Sequence, residues 1–167
     1  MSTQQFQGPV EMLDNVDIKG TWRTHKRLAK KLTATTTLSA DDSGAMMLIG
    51  PAGDGLAGNA TFTLPSAAAG LYFEFVYAGN AADAEDFIIS TGADANFFIG
   101  GIVQHDTDGG GDDTKVYHPN GSSNSTVTVD KPNSGTKIEL SCDGTNWVIT
   151  GKVISATNTG VAFDDQS

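Results

Sequence analysis

No run of about eighteen apolar residues occurs, so the sequence encodes no helical membrane span. Cysteine is nearly absent. Cys142 stands alone, which excludes an intrachain disulfide, and its place in an apolar alternation reads as a small core residue. Helix formers are scarce after Leu32. The chain contains no G-x-S-x-G, no H-E-x-x-H and no G-x-x-x-x-G-K-[ST], which removes the usual hydrolase, zinc-protease and phosphate-loop patterns and leaves an enzyme disfavoured. The opening MSTQQFQGPVEML lacks the basic-then-apolar layout of a secretory leader, so synthesis and use in a cytoplasm are expected. Basic residues are also few, ten against twenty acids, and unevenly placed.

Six of those ten, Lys19, Arg23, Lys26, Arg27, Lys30 and Lys31, fall within thirteen positions. With Glu11, Asp14 and Asp17 they leave residues 1–31 at +3. The remainder holds four basic and seventeen acidic residues, a formal −13, which restores the total of −10. An acidic body repels nucleic acid and anionic membranes, so neither is an expected partner. A short basic segment on such a body suits an acidic protein surface, or is simply a solvated basic face. Residues 1–20, with Phe6, Val10, Met12 and Leu13 scattered among polar residues, show no sustained period and read as an arm that orders against a partner. From Trp22 to Leu32 the pattern admits a basic helix, but a basic loop running into a strand is preferred.

Twenty glycines with many Thr, Ser, Asn and Asp indicate short strands separated by turns. The clearest stretch runs from Asn59 to Tyr77. Ala60, Phe62 and Leu64 alternate with threonines, and Leu71, Phe73, Phe75 and Tyr77 alternate with Tyr72, Glu74 and Val76, so two strands with one buried face each are expected, joined by a turn over Pro65 to Gly70. A second pair follows late in the chain: Ile138, Leu140 and Cys142, a four-residue turn at Asp143 to Asn146, then Trp147, Ile149 and Val153. Trp147 belongs to the buried set. Gly100 and Gly101 interrupt the run Phe97 to Val103, predicting a bulge or a close backbone approach. Thr33 to Leu38 reads as a strand, and Gly50 to Gly58 and Gln104 to Asp113 read as loops. Nine or ten strands make the fold all-β, a β-sandwich or jelly-roll-like domain of short antiparallel strands over residues 32–155, with an N-terminal arm (1–31) and an extended C-terminal tail (156–167) whose Val161 and Phe163 dock on a neighbour.

The sharpest candidate for site chemistry is Asp106, Asp108, Asp112 and Asp113 around Gly109 to Gly111. Carboxylates two apart can surround Ca²⁺, but the spacing completes no calcium loop, so a solvated hairpin tip is preferred and no metal or other cofactor is assigned. His105 and His118 flank that loop and offer a transition-metal alternative of lower weight.

Three fragments together, Leu32 to Ile49 (LTATTTLSADDSGAMMLI), Ala60 to Tyr77 (ATFTLPSAAAGLYFEFVY) and Ile138 to Val153 (IELSCDGTNWVITGKV), resemble small structural proteins of tailed bacteriophages, especially cyanophage types. The resemblance implies a virion component on the capsid exterior, a decoration or cement protein made in the host cytoplasm, assembled as a homotrimer and bound to the major capsid protein. It covers residues 32–153. The arm lies outside it, so its role as the capsid contact, through Phe6, Val10, Met12, Leu13, Lys19, Arg23, Lys26, Arg27, Lys30 and Lys31, follows from charge and composition alone. A tail-fibre or receptor-binding module is the main alternative, and a jelly-roll lectin or carbohydrate-active enzyme a third.

Overall fold

A computed structural model describes residues 28–53, 55–79, 83–108 and 113–166. Among them no helix is long and apolar enough to cross a membrane, and the one helical element is a single 3-10 turn, Ala40–Asp42. Twelve strands account for the rest of the regular structure: β1 (Ala29–Leu32), β2 (Thr36–Thr37), β3 (Met46–Gly53), β4 (Ala60–Thr63), β5 (Tyr72–Gly79), β6 (Phe87–Ser90), β7 (Phe98–Asp106), β8 (Thr114–Tyr117), β9 (Thr126–Val129), β10 (Lys137–Cys142), β11 (Trp147–Ser155) and β12 (Val161–Asp164). They form a seven-stranded sheet in the order β1-β3-β5-β10-β11-β7-β8 and a five-stranded sheet in the order β12-β9-β6-β4-β2. The all-β, sandwich-like expectation therefore holds. The strands are not all antiparallel, however: of the ten pairings five are parallel, namely β1 with β3, β3 with β5, β11 with β7, β2 with β4 and β4 with β6.

The core lies between the sheets because period-two alternation turns one apolar row of each strand inward. Phe62 on β4 and Phe75 on β5 are both buried and stack with centroids 6.2 Å apart. Here the two-strand reading of Asn59 to Tyr77 needs correction. Both strands exist with the expected inward residues, but they belong to different sheets, and the Pro65 to Gly70 connection carries the chain from one layer to the other. The late hairpin is as expected: Cys142 pairs with Trp147 across Asp143 to Asn146, and both are buried. Gly100 has φ +121°, and a Cβ there would overlap the Ile149 carbonyl oxygen of β11, so the glycine run marks a close backbone approach.

Several polar segments are strand where loop was expected, and one expected strand is shorter. β3 continues through Gly50 (φ +57°) to Gly53, with a register irregularity between Ile49 and Gly53. β7 continues through Gln104 to Asp106, with Gln104 buried. Thr33 to Leu38 supplies only the two-residue β2. Two segment boundaries also shift. β1 begins at Ala29, so Lys30 and Lys31 belong to the sheet and not to an arm. The C-terminal segment is no free tail, since β12 pairs with β9 of its own chain, burying Val161 and setting Phe163 against Phe98 at 6.2 Å.

One charged side chain ties loops to this frame. The Asp83 carboxylate accepts hydrogen bonds from the Tyr77 hydroxyl (2.8 Å), the Leu56 amide (2.7 Å) and the Glu85 amide (3.3 Å). Burial, and then the Asp83 charge, push the Tyr77 hydroxyl well above the usual tyrosine range. That stabilisation is complete below the usual tyrosine pKa and is lost as pH rises beyond it. Asp83→Ala leaves two buried donors without an acceptor and is expected to cost about 2–4 kcal/mol, read as a lower urea midpoint at unchanged m-value. An unchanged midpoint would contradict this role.

Candidate functional site

Of the ten residues expected to contact a capsid, Phe6, Val10, Met12, Leu13, Lys19, Arg23, Lys26 and Arg27 lie outside the described residues. Lys30 and Lys31 are adjacent on β1, so they point to opposite faces of the seven-stranded sheet. The Lys30 ammonium lies 2.7 Å from Asp42 Oδ2, in the turn that precedes β3. Burial raises the Asp42 carboxyl, but Lys30 and Ser39 outweigh it and hold the group below the ordinary carboxylate range. Lys30 is thus engaged within the fold. Lys31 is exposed and projects from the outward face.

That outward face can be read from the register. From Leu48 one transverse row continues through Val76, Lys137, Lys152 and Val103 to Val116, and Lys31 pairs with Leu48 at its β1 end. Val103 (41% exposed) and Val116 (58%) are direct cross-strand partners. Ile99 and Val148, both 40% exposed, are partners on the same face of β7 and β11. Among the described residues, four of the five exposed large hydrophobic residues thus lie on this face at the β11-β7-β8 end, as two cross-strand pairs with Gly101 between them. Among the described residues the outward positions of this sheet carry only two carboxylates, Glu74 and Glu139, which sit opposite each other. Lys137 Nζ bridges them at 3.1 and 2.7 Å, and its ammonium is held above the usual lysine range by Glu139 and then Glu74. Sequence reasoning missed this surface. Its signal was present as the alternation of Val103, Lys137, Val148 and Lys152 with buried residues, but only strand order brings them together.

The aspartate loop is partly described. Asp112 lies outside the described residues, and no group of three or more His, Cys, Asp or Glu able to hold a metal occurs among the rest. Asp106 accepts from the Asp108 amide (2.9 Å), and its own amide donates to the Asp113 carbonyl (3.0 Å). The flanking histidines engage separate partners: His105 Nδ1 lies 3.5 Å from Thr114 Oγ1, and His118 Nδ1 lies 3.1 Å from the Gly100 carbonyl oxygen.

An open hollow of about 430 Å³ lies where the parallel strands β2, β4 and β6 end. Thr37, Thr63, Leu64, Ser66, Thr91 and Asn96 are among its lining residues, and no titratable side chain lines it. It offers neither a general acid nor a general base.

Two like-charged pairs sit at opposite ends of the five-stranded sheet. Asp86 and Asp130 extend the β6–β9 register by one step beyond Phe87 and Val129, and Asp94 contacts Asp165. Burial, then Asp86, raise the Asp130 carboxyl, with Lys131 offsetting part, and Asp165 raises Asp94. A raised carboxyl pKa means that the folded state binds its proton more tightly, so stability should climb as pH falls through the raised value toward 3.8. Asp42 and Asp143 oppose this only at lower pH, where their depressed carboxyls become protonated. Asp130→Asn is expected to add roughly 0.2–1 kcal/mol at neutral pH, the scale of a cross-strand pair, and to flatten the acid rise. Thermal melts from pH 7 to 4 check it, and an undiminished rise in the variant would contradict it.

In comparisons with known proteins, no family model, no curated protein and no solved structure matches this chain.

Proposed function

We propose that the chain is a structural protein of a tailed-phage virion, a decoration or cement protein that binds the outer surface of the head and acts as a homotrimer. The observation that carries this reading is charge segregation: residues 1–31 carry +3 on a chain that is −10 overall. Such a distribution favours docking on an acidic protein surface and disfavours nucleic acid and anionic membranes. The phage resemblance of the fragments within residues 32–153 supplies the identity of that partner, the major capsid protein. Stabilisation of the shell then follows from mass action, because a ligand that binds the mature lattice and not its dissociated subunits shifts the equilibrium toward the lattice. Three linked copies on a repeating surface turn weak single contacts into a durable one.

The tail-fibre reading asks for an exposed aromatic or aspartate-lined patch near residues 104–124. Tyr117 there is half-buried with its hydroxyl 3.2 Å from the Asn158 carbonyl oxygen, so among the described residues no exposed Phe, Tyr or Trp patch occurs there, while Asp108 and Asp113 are exposed. The experiment is co-sedimentation of the full chain with expanded phage shells lacking it, at low and high salt. Saturable, salt-sensitive binding is expected. Absence of binding at every salt concentration would overturn the proposal.

A further inference from the structure

The outward face of the seven-stranded sheet differs from the rest of the molecule in two independent respects. It carries Lys31, Lys137 and Lys152 against Glu74 and Glu139, a balance of +1 on a chain of −10. It also carries two exposed apolar cross-strand pairs, Ile99 with Val148 and Val103 with Val116. Lys152 stands in the same row as Val103 and is exposed, with no carboxylate partner among the described residues. Seven strands at about 4.8 Å spacing span roughly 29 Å, and the nine residues of β7 rise about 30 Å. With shorter strands at both edges, the face offers on the order of 700 Å², close to the roughly 800 Å² that each partner contributes to a standard interface.

We propose that this face, through the apolar pairs at its β11-β7-β8 end and the neighbouring Lys152, is the surface on which an acidic protein surface docks. The inference rests on the reading of the chain as a shell-bound protein and deepens it: the folded body, and not only the N-terminal segment, makes the contact. The division of labour is that of ordinary interfaces, with apolar side chains losing water at the centre and charges at the margin setting orientation and partner choice. Charge complementarity selects an acidic partner. A second copy laid on the face about a two-fold axis would set a surface of net +1 against itself and gain less from charge than an acidic partner does.

The test is amine acylation of the full chain, free and bound to expanded shells, with the modified lysines quantified by mass spectrometry. Lys152 and Lys31 should label several-fold less in the bound protein, while Lys131, in the β9–β10 connection, should label equally in both. The paired variant Val103→Thr/Val116→Thr keeps β-branched residues on the strands and should weaken shell binding about tenfold with an unchanged melt. If the protein binds shells but Lys152 labels equally free and bound, the face is overturned and the shell reading stands. If no binding occurs, both fail. If Lys152 becomes protected as the free protein is concentrated without shells, a second copy occupies the face, and the acidic-partner assignment is overturned.

Discussion

Trp147→Ala is expected to destabilise the domain by about 3–5 kcal/mol. Trp147 is fully buried at the start of β11, where its backbone joins two neighbours: Cys142 across the hairpin and Phe98 on the parallel strand β7. Its ring lies 5.9 Å from Phe73 at 54°, a tilted aromatic pair whose contact adds to the area buried. Alanine would open a cavity beneath four strands of one sheet, which relaxes poorly because those strands are mutually bonded. A domain of this size has about 5–15 kcal/mol in total, so the variant should unfold at far lower urea or be recovered only as aggregate. Trp147→Phe keeps an aromatic against Phe73 and should recover more than half of the loss. A Trp147→Ala protein with a wild-type denaturation midpoint would contradict the placement of this residue at the centre of the core.

Removal of residues 1–27 is expected to leave the fold intact and to lower shell occupancy more than tenfold at physiological salt. Leu28, 65% exposed, directly precedes β1, and the cut leaves the β1–β3 pairing untouched. Removal of residues 1–32 should behave differently. It strips the edge strand from β3, deletes the buried Leu32 and breaks the Lys30–Asp42 ion pair, so a further loss of roughly 2–3 kcal/mol is expected from the leucine alone. Comparing the two truncations by thermal melt and co-sedimentation separates contact from stability. Full shell occupancy after removal of residues 1–27 would show that the N-terminal segment contributes nothing to attachment, and loss of the melt in that protein would show that the body begins earlier than Leu28.

Alternation made the inward residues of β4, β5, β10 and β11 legible, because burial of one face writes itself into every second position. It could not name the partner of a strand. The six residues from Pro65 to Gly70 suit a hairpin and a passage between layers equally well, so β4 and β5 looked paired although they face each other across the core. Parallel neighbours left no clear trace for a related reason: β4 and β11 alternate as strands of an antiparallel sheet do, and the apolar runs of β3 (Met46 to Ile49) and β6 (Phe87 to Ile89) are too short to name a parallel partner. β7 beyond Val103 and β12 were hidden by polarity. Gln104 is buried by virtue of its place in the sheet, with its amide bonded to the Thr157 carbonyl, and the four residues of β12, Val161 to Asp164, stand alone in a polar C-terminal stretch. The role of Lys30 was obscured because its partner Asp42 is twelve residues away, and a run of basic residues looks uniform until a strand separates its two faces. The outward face was least legible of all. Its residues come from seven segments scattered from Lys31 to Lys152, and only strand order assembles them.

Direct imaging of expanded shells saturated with the full chain tests the central claim most closely. Electron cryo-microscopy should show added density on the outer surface of the head, in groups of three at equivalent lattice positions, with the seven-stranded sheet turned toward the shell. Bare shells at saturating protein, or density confined to the tail, would contradict it.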